Sequence, residues 1–160
     1  MENKQQFTQL IKEGLSAIKT GSEIAAKSSD IIINAATNPK LKEALQKNKE
    51  TAKIWVERTD RAIQETGAIG QIDNPVVDGI GKVHQNILNS GLDDYSRDLG
   101  IINAGQLALH YWIAAFGTMA NYAKQAGLDE TYKAMKDCAD ESVVADEEHT
   151  KVAEQILGGN

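Results

Sequence analysis

The chain is poor in the features that would mark its class at once. It has one cysteine in 160 residues, Cys138, which cannot close a disulfide within the chain and points to a reducing compartment, so a cytoplasmic location is expected. No apolar run approaches 18 residues, which argues against a membrane-spanning helix. The opening MENKQQFTQL lacks the charged-then-apolar order of a signal peptide. Basic residues are outnumbered by acidic ones, 17 to 23, and the two signs are interleaved without a basic cluster, which argues against a nucleic-acid partner. No segment alternates strictly between apolar and polar, and β-branched residues are scattered, so strands are not expected. There is no Gly-x-Ser-x-Gly, no glycine loop ending in Lys-Ser/Thr and no cysteine pair. Gly-Ala-Ile-Gly at 67–70 reads as a loop, because no strand precedes it.

What is present is helical periodicity. Hydrophobic residues at 41% and charged residues at 25% are ordinary globular values, and a chain of this length is most simply one domain, 1–160, burying roughly 70% of its unfolded surface. The dominant stretch is Ile101–Gly127. Its residues Ile102, Gly105, Leu109, Trp112, Phe116, Met119 and Ala123 form an apolar stripe at helical spacing. From about residue 5 to 36, Ile11, Leu15, Ile18, Ser22, Ala25, Ser29, Ile32 and Ala36 repeat in the same way, although the middle of that stripe is small and weakly polar. Gly14 and Gly21 in this segment suggest close helix approach.

Asn38-Pro39 is a cap followed by a first helical residue, so a second helix is expected to about Thr66, with the stripe Leu41, Leu45, Asn48, Ala52, Trp55, Thr59 and Ala62. Asn74-Pro75 repeats the signal and opens a short helix inside a crossover. Gly91 and Asp93-Asp94 then lead into the central helix, which Gly127 stops. A last helix, capped by Asp129, runs from about 130 to 157 and turns Met135, Cys138, Ser142, Ala145, His149, Val152 and Ile156 inward. The expected fold is therefore all-α: an up-down four-helix bundle with a crossover connection containing a short extra helix, the ferritin-like arrangement among others.

Such bundles can hold two metal ions when Glu-x-x-His pairs converge at mid-height. Of the three histidines, His84 follows Gly81 and His110 follows Leu107 at that spacing, which supplies no acid. Only His149, three after Asp146, forms a carboxylate–imidazole pair, and an acidic helix offers such pairs by chance.

Three stretches carry a family resemblance. INAATNPKLKEALQKNKETAKIWVERTDRAIQETG (33–67), LHYWIAAFGTMANYAKQAGLDETYK in the central helix, and DESVVADEEHTKVAE in the last one resemble the YciE/YciF family of ferritin-like stress proteins. The strongest element is His110-Tyr111 followed by Ile113–Thr118. The resemblance implies a stress-associated homodimer with a di-iron or related carboxylate centre. At the positions it implies for that centre, however, the chain departs. The two glutamates flanking the His-Tyr pair fall on Leu109 and Trp112, and the first-helix Glu falls on Ser22, with Glu23 one step away. The inner polar position of the second helix is Trp55, with Glu50 nearer the flank, and Ser142 replaces an acid beside Glu141.

A cluster of buried carboxylates without its cation would cost several kcal/mol per charge. Leu109, Trp112 and Trp55 replace that cost with apolar burial worth roughly 1.5–3 kcal/mol per large side chain. The expectation is a metal-free centre in a structural or binding module rather than an enzyme, without a cofactor. One alternative is an iron or manganese oxidoreductase using displaced ligands, Glu23, Glu50, His110, Glu141 and His149. Another is a pocket for a small apolar ligand between Trp55 and Trp112, lined by Ser22, Ala52, Leu109 and Ser142, with Ala25 and Ala145 adding small side chains at the same level. Cys138, on the inner stripe, is expected to be a buried, unreactive thiol. Tyr95, Tyr111, Tyr122 and Tyr132 could serve either a dimer surface or the core.

Overall fold

The computed structural model describes residues 2–67 and 70–158; Ala68 and Ile69, in the expected 67–70 loop, lie outside them. Among the described residues the regular structure is five helices: α1 (Glu2–Ala35), α2 (Pro39–Thr66), α3 (Pro75–Leu88), α4 (Asp94–Ala126) and α5 (Asp129–Gly158). Asn38 and Asn74 cap their helices as the sequence predicts, whereas Asp129 does not cap α5: it is the first residue inside that helix, and Glu65 of α2 accepts from Thr131 N instead. The Asn38 side chain accepts from Lys40 N at 3.0 Å and Leu41 N at 3.2 Å, and the Asn74 side chain accepts from Val77 N at 3.1 Å. Gly127 takes the left-handed conformation (φ 73°), and Leu128 N returns to Ala123 O at 2.9 Å, the long bond of a Schellman turn.

Two boundaries differ from the sequence expectation. Helix α1 begins at Glu2, and α4 begins at Asp94, seven residues before its apolar stripe becomes continuous. The reason for the second is chemical: Asp93 caps Ser96 N at 2.7 Å, so the acidic pair belongs to the helix start and not to a lead-in loop. Helix α4 is also long and apolar enough on average to cross a membrane, which the search for one unbroken apolar run did not register. Here its apolar stripe packs against α1, α3 and α5.

Two sets of hydrogen bonds fix the topology. Asp98, early in α4, accepts from Thr37 N, Thr37 Oγ1 and Asn38 N at 2.7–2.8 Å, so α4 starts at the end where α1 turns into α2. At the other end Glu65 of α2 accepts from Thr131 N and Oγ1 at the start of α5. Helices α2 and α4 therefore run parallel, α1 and α5 run against them, and α3 crosses over on the α1–α4 side. Each stripe named above is buried or half-buried along its whole length.

The core is in two pieces. A large cluster around Ile11, Leu15, Trp55, Trp112, Phe116 and Met135 fills the end near Thr131, and a smaller one of Ala36, Leu41, Ala44, Ile101, Ile102 and Val152 fills the turn end. Gly14 and Gly21 give the close approach expected of them: a Cβ on Gly14 would collide with Met119, and one on Gly21 would sit 2.6 Å from Asn74 Nδ2.

Asp98 is the testable joint. It is buried, and removing its carboxylate strands two backbone N–H groups of the turn. Bonds to a charged acceptor are worth about 1.5–3 kcal/mol. Asp98→Ala is expected to lower unfolding stability by about 3 kcal/mol in a urea titration, whereas alanine at the exposed Asp94 changes it by less than about 1 kcal/mol.

Candidate functional site

Between the two core clusters lies a cavity of about 160 Å³. Its floor is aromatic. Trp55 and Trp112 both pack on Phe116, at ring-centroid distances of 5.5 and 5.4 Å, and Tyr111 packs edge-on against Trp112 at 4.7 Å. Phe116 is fully buried and closes the space beneath, so the opening extends from the tryptophans toward the turn end of the bundle. There the facing residues are small: Ala25 and Ser29 on α1, Ala52 on α2, and Gly105 and Ala108 on α4. The few polar groups in the wall include Asn48, His84, Tyr111 and His149. A neighbouring space of about 120 Å³ between α1 and α2 shares Ala25, Ala52 and both tryptophans and adds Ser22.

Helix α3 forms the outer wall. Its Asn74 donates to Ala17 O at 2.8 Å and to the Tyr111 hydroxyl at 2.7 Å, which pins the start of α3 to α1 and α4. Val77, Ile80, Gly81 and His84 then face the cavity.

The expected pocket residues separate cleanly. Ala52, Trp55, Leu109 and Trp112 line the main cavity, and Ser22 lines its neighbour. Ser142 does not: it is fully buried and donates to Cys138 O at 2.7 Å within its own helix.

The five displaced ligands are not brought together. Glu23 and Glu50 are exposed, with Glu50 paired to Lys53 at 2.8 Å. His110 is 69% exposed at its side chain and faces Asp146 Oδ2 at 3.2 Å on the outer seam of α4 and α5. Glu141 accepts from Trp55 Nε1 at 2.8 Å and from Arg58 at 2.7 Å through the same oxygen. Burial pushes its carboxyl up, but those two bonds outweigh burial and hold it below the ordinary carboxylate value. His149 alone lies in the interior. Among the described residues no three His, Cys, Asp or Glu side chains converge as a metal site would need. The side chains present therefore do not fit a di-iron or di-manganese centre, because their donors are either dispersed or already committed to Arg58. Cys138 is buried, and its thiol is pushed up to about 12 by burial, so it is not a nucleophile near neutral pH.

With that geometry in hand, the comparisons place the chain. A family model described as a domain of unknown function, DUF892, matches residues 6–159. The chain belongs to this family. Protein YciF of Escherichia coli (strain K12) is 27% identical over 149 residues, covering 92% of this chain and 87% of YciF. The crystal structure of the E. coli stress protein YciF superposes with a TM-score of 0.92 at 22% identity, covering 96% of this chain and 98% of that one. YcfI of Rhodopseudomonas palustris, described as a candidate structural protein, superposes at 0.86 with 24% identity, covering 90% and 92%. At those identities the two structures speak for the fold.

For this DUF892 chain, sequence periodicity did not indicate the α3 wall or the approach of Asn48 on α2 to His149 on α5. The usable signal was the small, weakly polar middle of the α1 stripe, which is where the cavity opens.

Burial of the two inner histidines has a consequence for stability. Burial lowers the proton affinity of His149 and of His84, with the Ala145 and Ile80 carbonyls pulling partly the other way. An unfolded imidazole takes up its proton near pH 6.5. The stability this provides is thus complete above about 6.5 and is lost as pH falls below it toward the lower folded values. Unfolding free energy measured in urea is expected to drop between pH 7.5 and 5.5 and to flatten in the double variant His84→Gln/His149→Gln. Glu141, whose folded value is depressed, adds its own loss only below about 4.5.

Proposed function

We propose that the protein is a stress-associated, metal-independent binding module whose bundle centre holds a small apolar molecule rather than a catalytic metal. The observation that carries this is the cavity between the two core clusters, floored by Trp55 and Trp112 and walled by Ala25, Ala52 and Gly105. Its size supports an occupant. An engineered cavity of about 150 Å³ in another protein stays dry and takes up benzene. The stress association rests on the description of E. coli YciF as a stress protein. The metal-independent part rests on the dispersal of Glu23, Glu50 and His110 and on the commitment of Glu141 to Arg58.

Toluene tests the reading. Titrated into dialysed protein, it is expected to quench or blue-shift the tryptophan emission saturably, and to raise the unfolding free energy by about 2.7 kcal/mol when its concentration is 100 times its Kd. Indifference of both signals would remove the pocket. Iron or manganese retained through dialysis at one or two ions per chain would contradict the metal-independent centre.

A further inference from the structure

The cavity is not wholly apolar, and one of its polar groups is almost completely buried. His149 is 1% exposed and stands in the wall beside Gly105. Its Nδ1 lies 3.0 Å from Ala145 O. A carbonyl only accepts, so in the neutral ring Nδ1 carries the proton and Nε2 is a bare acceptor. Asn48 Nδ2, at 3.5 Å from Nδ1, cannot donate to a nitrogen already holding its own proton. No described residue donates to Nε2. Glycine at 105 lets the α4 backbone come up against this ring: a Cβ there would come within 3.1 Å of Nε2 and Cδ2.

An acceptor at one end, largely apolar walls for the rest, and room for one ring define a ligand class. We propose that the cavity takes a single-ring aromatic molecule bearing one neutral hydrogen-bond donor, a phenol or its like, with the donor on His149 Nε2 and the ring against Trp55 and Trp112. This rests on the reading that the cavity holds a small apolar occupant, and it adds what that occupant must carry. Gly105 is the residue that admits the imidazole to the wall, and His149 is the residue that selects the donor.

The discriminating pair is p-cresol and p-xylene, which share a shape and differ by a hydroxyl for a methyl. A purely apolar pocket favours p-xylene, which water solvates less well. Calorimetric titration of the full chain at pH 8 is expected to show p-cresol binding at least about tenfold more tightly than p-xylene, with 4-methylanisole, which has an oxygen but no proton to give, falling back to the p-xylene level. The preference is expected to reverse in His149→Leu. Since a buried substitution can unfold the chain for packing reasons alone, nitrogen NMR of the wild-type histidines gives the second readout: the His149 Nε2 resonance moves with p-cresol and stays with p-xylene. Tighter binding of p-xylene, or an unmoved Nε2 resonance with p-cresol bound, overturns the donor requirement and leaves the apolar pocket standing. Binding of none of the three overturns the pocket itself.

Discussion

Four helices packed side by side keep their axes about 8–10 Å apart, and only large side chains reach the space they enclose. The structure depends on where those side chains stand. Trp55 on α2 and Trp112 and Phe116 on α4 come to one level and close the centre with three interlocked rings. A turn or two toward the α1–α2 connection, the same stripes present Ala25, Ala52 and Gly105, and nothing spans the gap. The solid half and the hollow half of the molecule are therefore consequences of one pattern, in which bulk is concentrated at one height and withheld at the next.

That pattern was legible in the sequence to a considerable depth. Every member of the four stripes, from Ile11 to Ile156, is buried or half-buried, because helical period is a one-dimensional property that a linear string records faithfully. Asn38, Asn74 and Gly127 marked their helix ends for the same reason, since caps act on neighbours three or four residues away. Contacts between distant stripes left no such record. Whether Ser142 faced a cavity or bonded back to Cys138, and whether His149 met Asn48 or an acid, depend on the relative height of two helices. Helix α3 was recognised as a helix, but its role as a wall follows from Asn74 reaching Ala17 and Tyr111, residues far from it in the chain.

Glu141 shows how one charge can look like a ligand and be something else. On α2, Trp55 and Arg58 are three residues apart and share a face, so both donors reach the same oxygen of Glu141 on α5. A guanidinium is charged at any pH the protein meets, and it is tethered to the chain. The carboxylate is thus balanced by a resident cation rather than a free one, and the indole that floors the cavity is held in place by the same acid.

Asp98 solves a comparable problem without any cation. It is buried and forms no ion pair among the described residues, yet it sits against the first amides of α2, at the end of the bundle where α2 and α4 both begin. The aligned peptide groups of a helix leave a partial positive charge at its N-terminus. Two parallel helices opening at one end place two such poles side by side, and Asp98 answers them with a single negative charge. Dissolved ions, which screen a surface pair such as Lys47–Glu148, have little access to this one, so the closure of the turn should be indifferent to ionic strength.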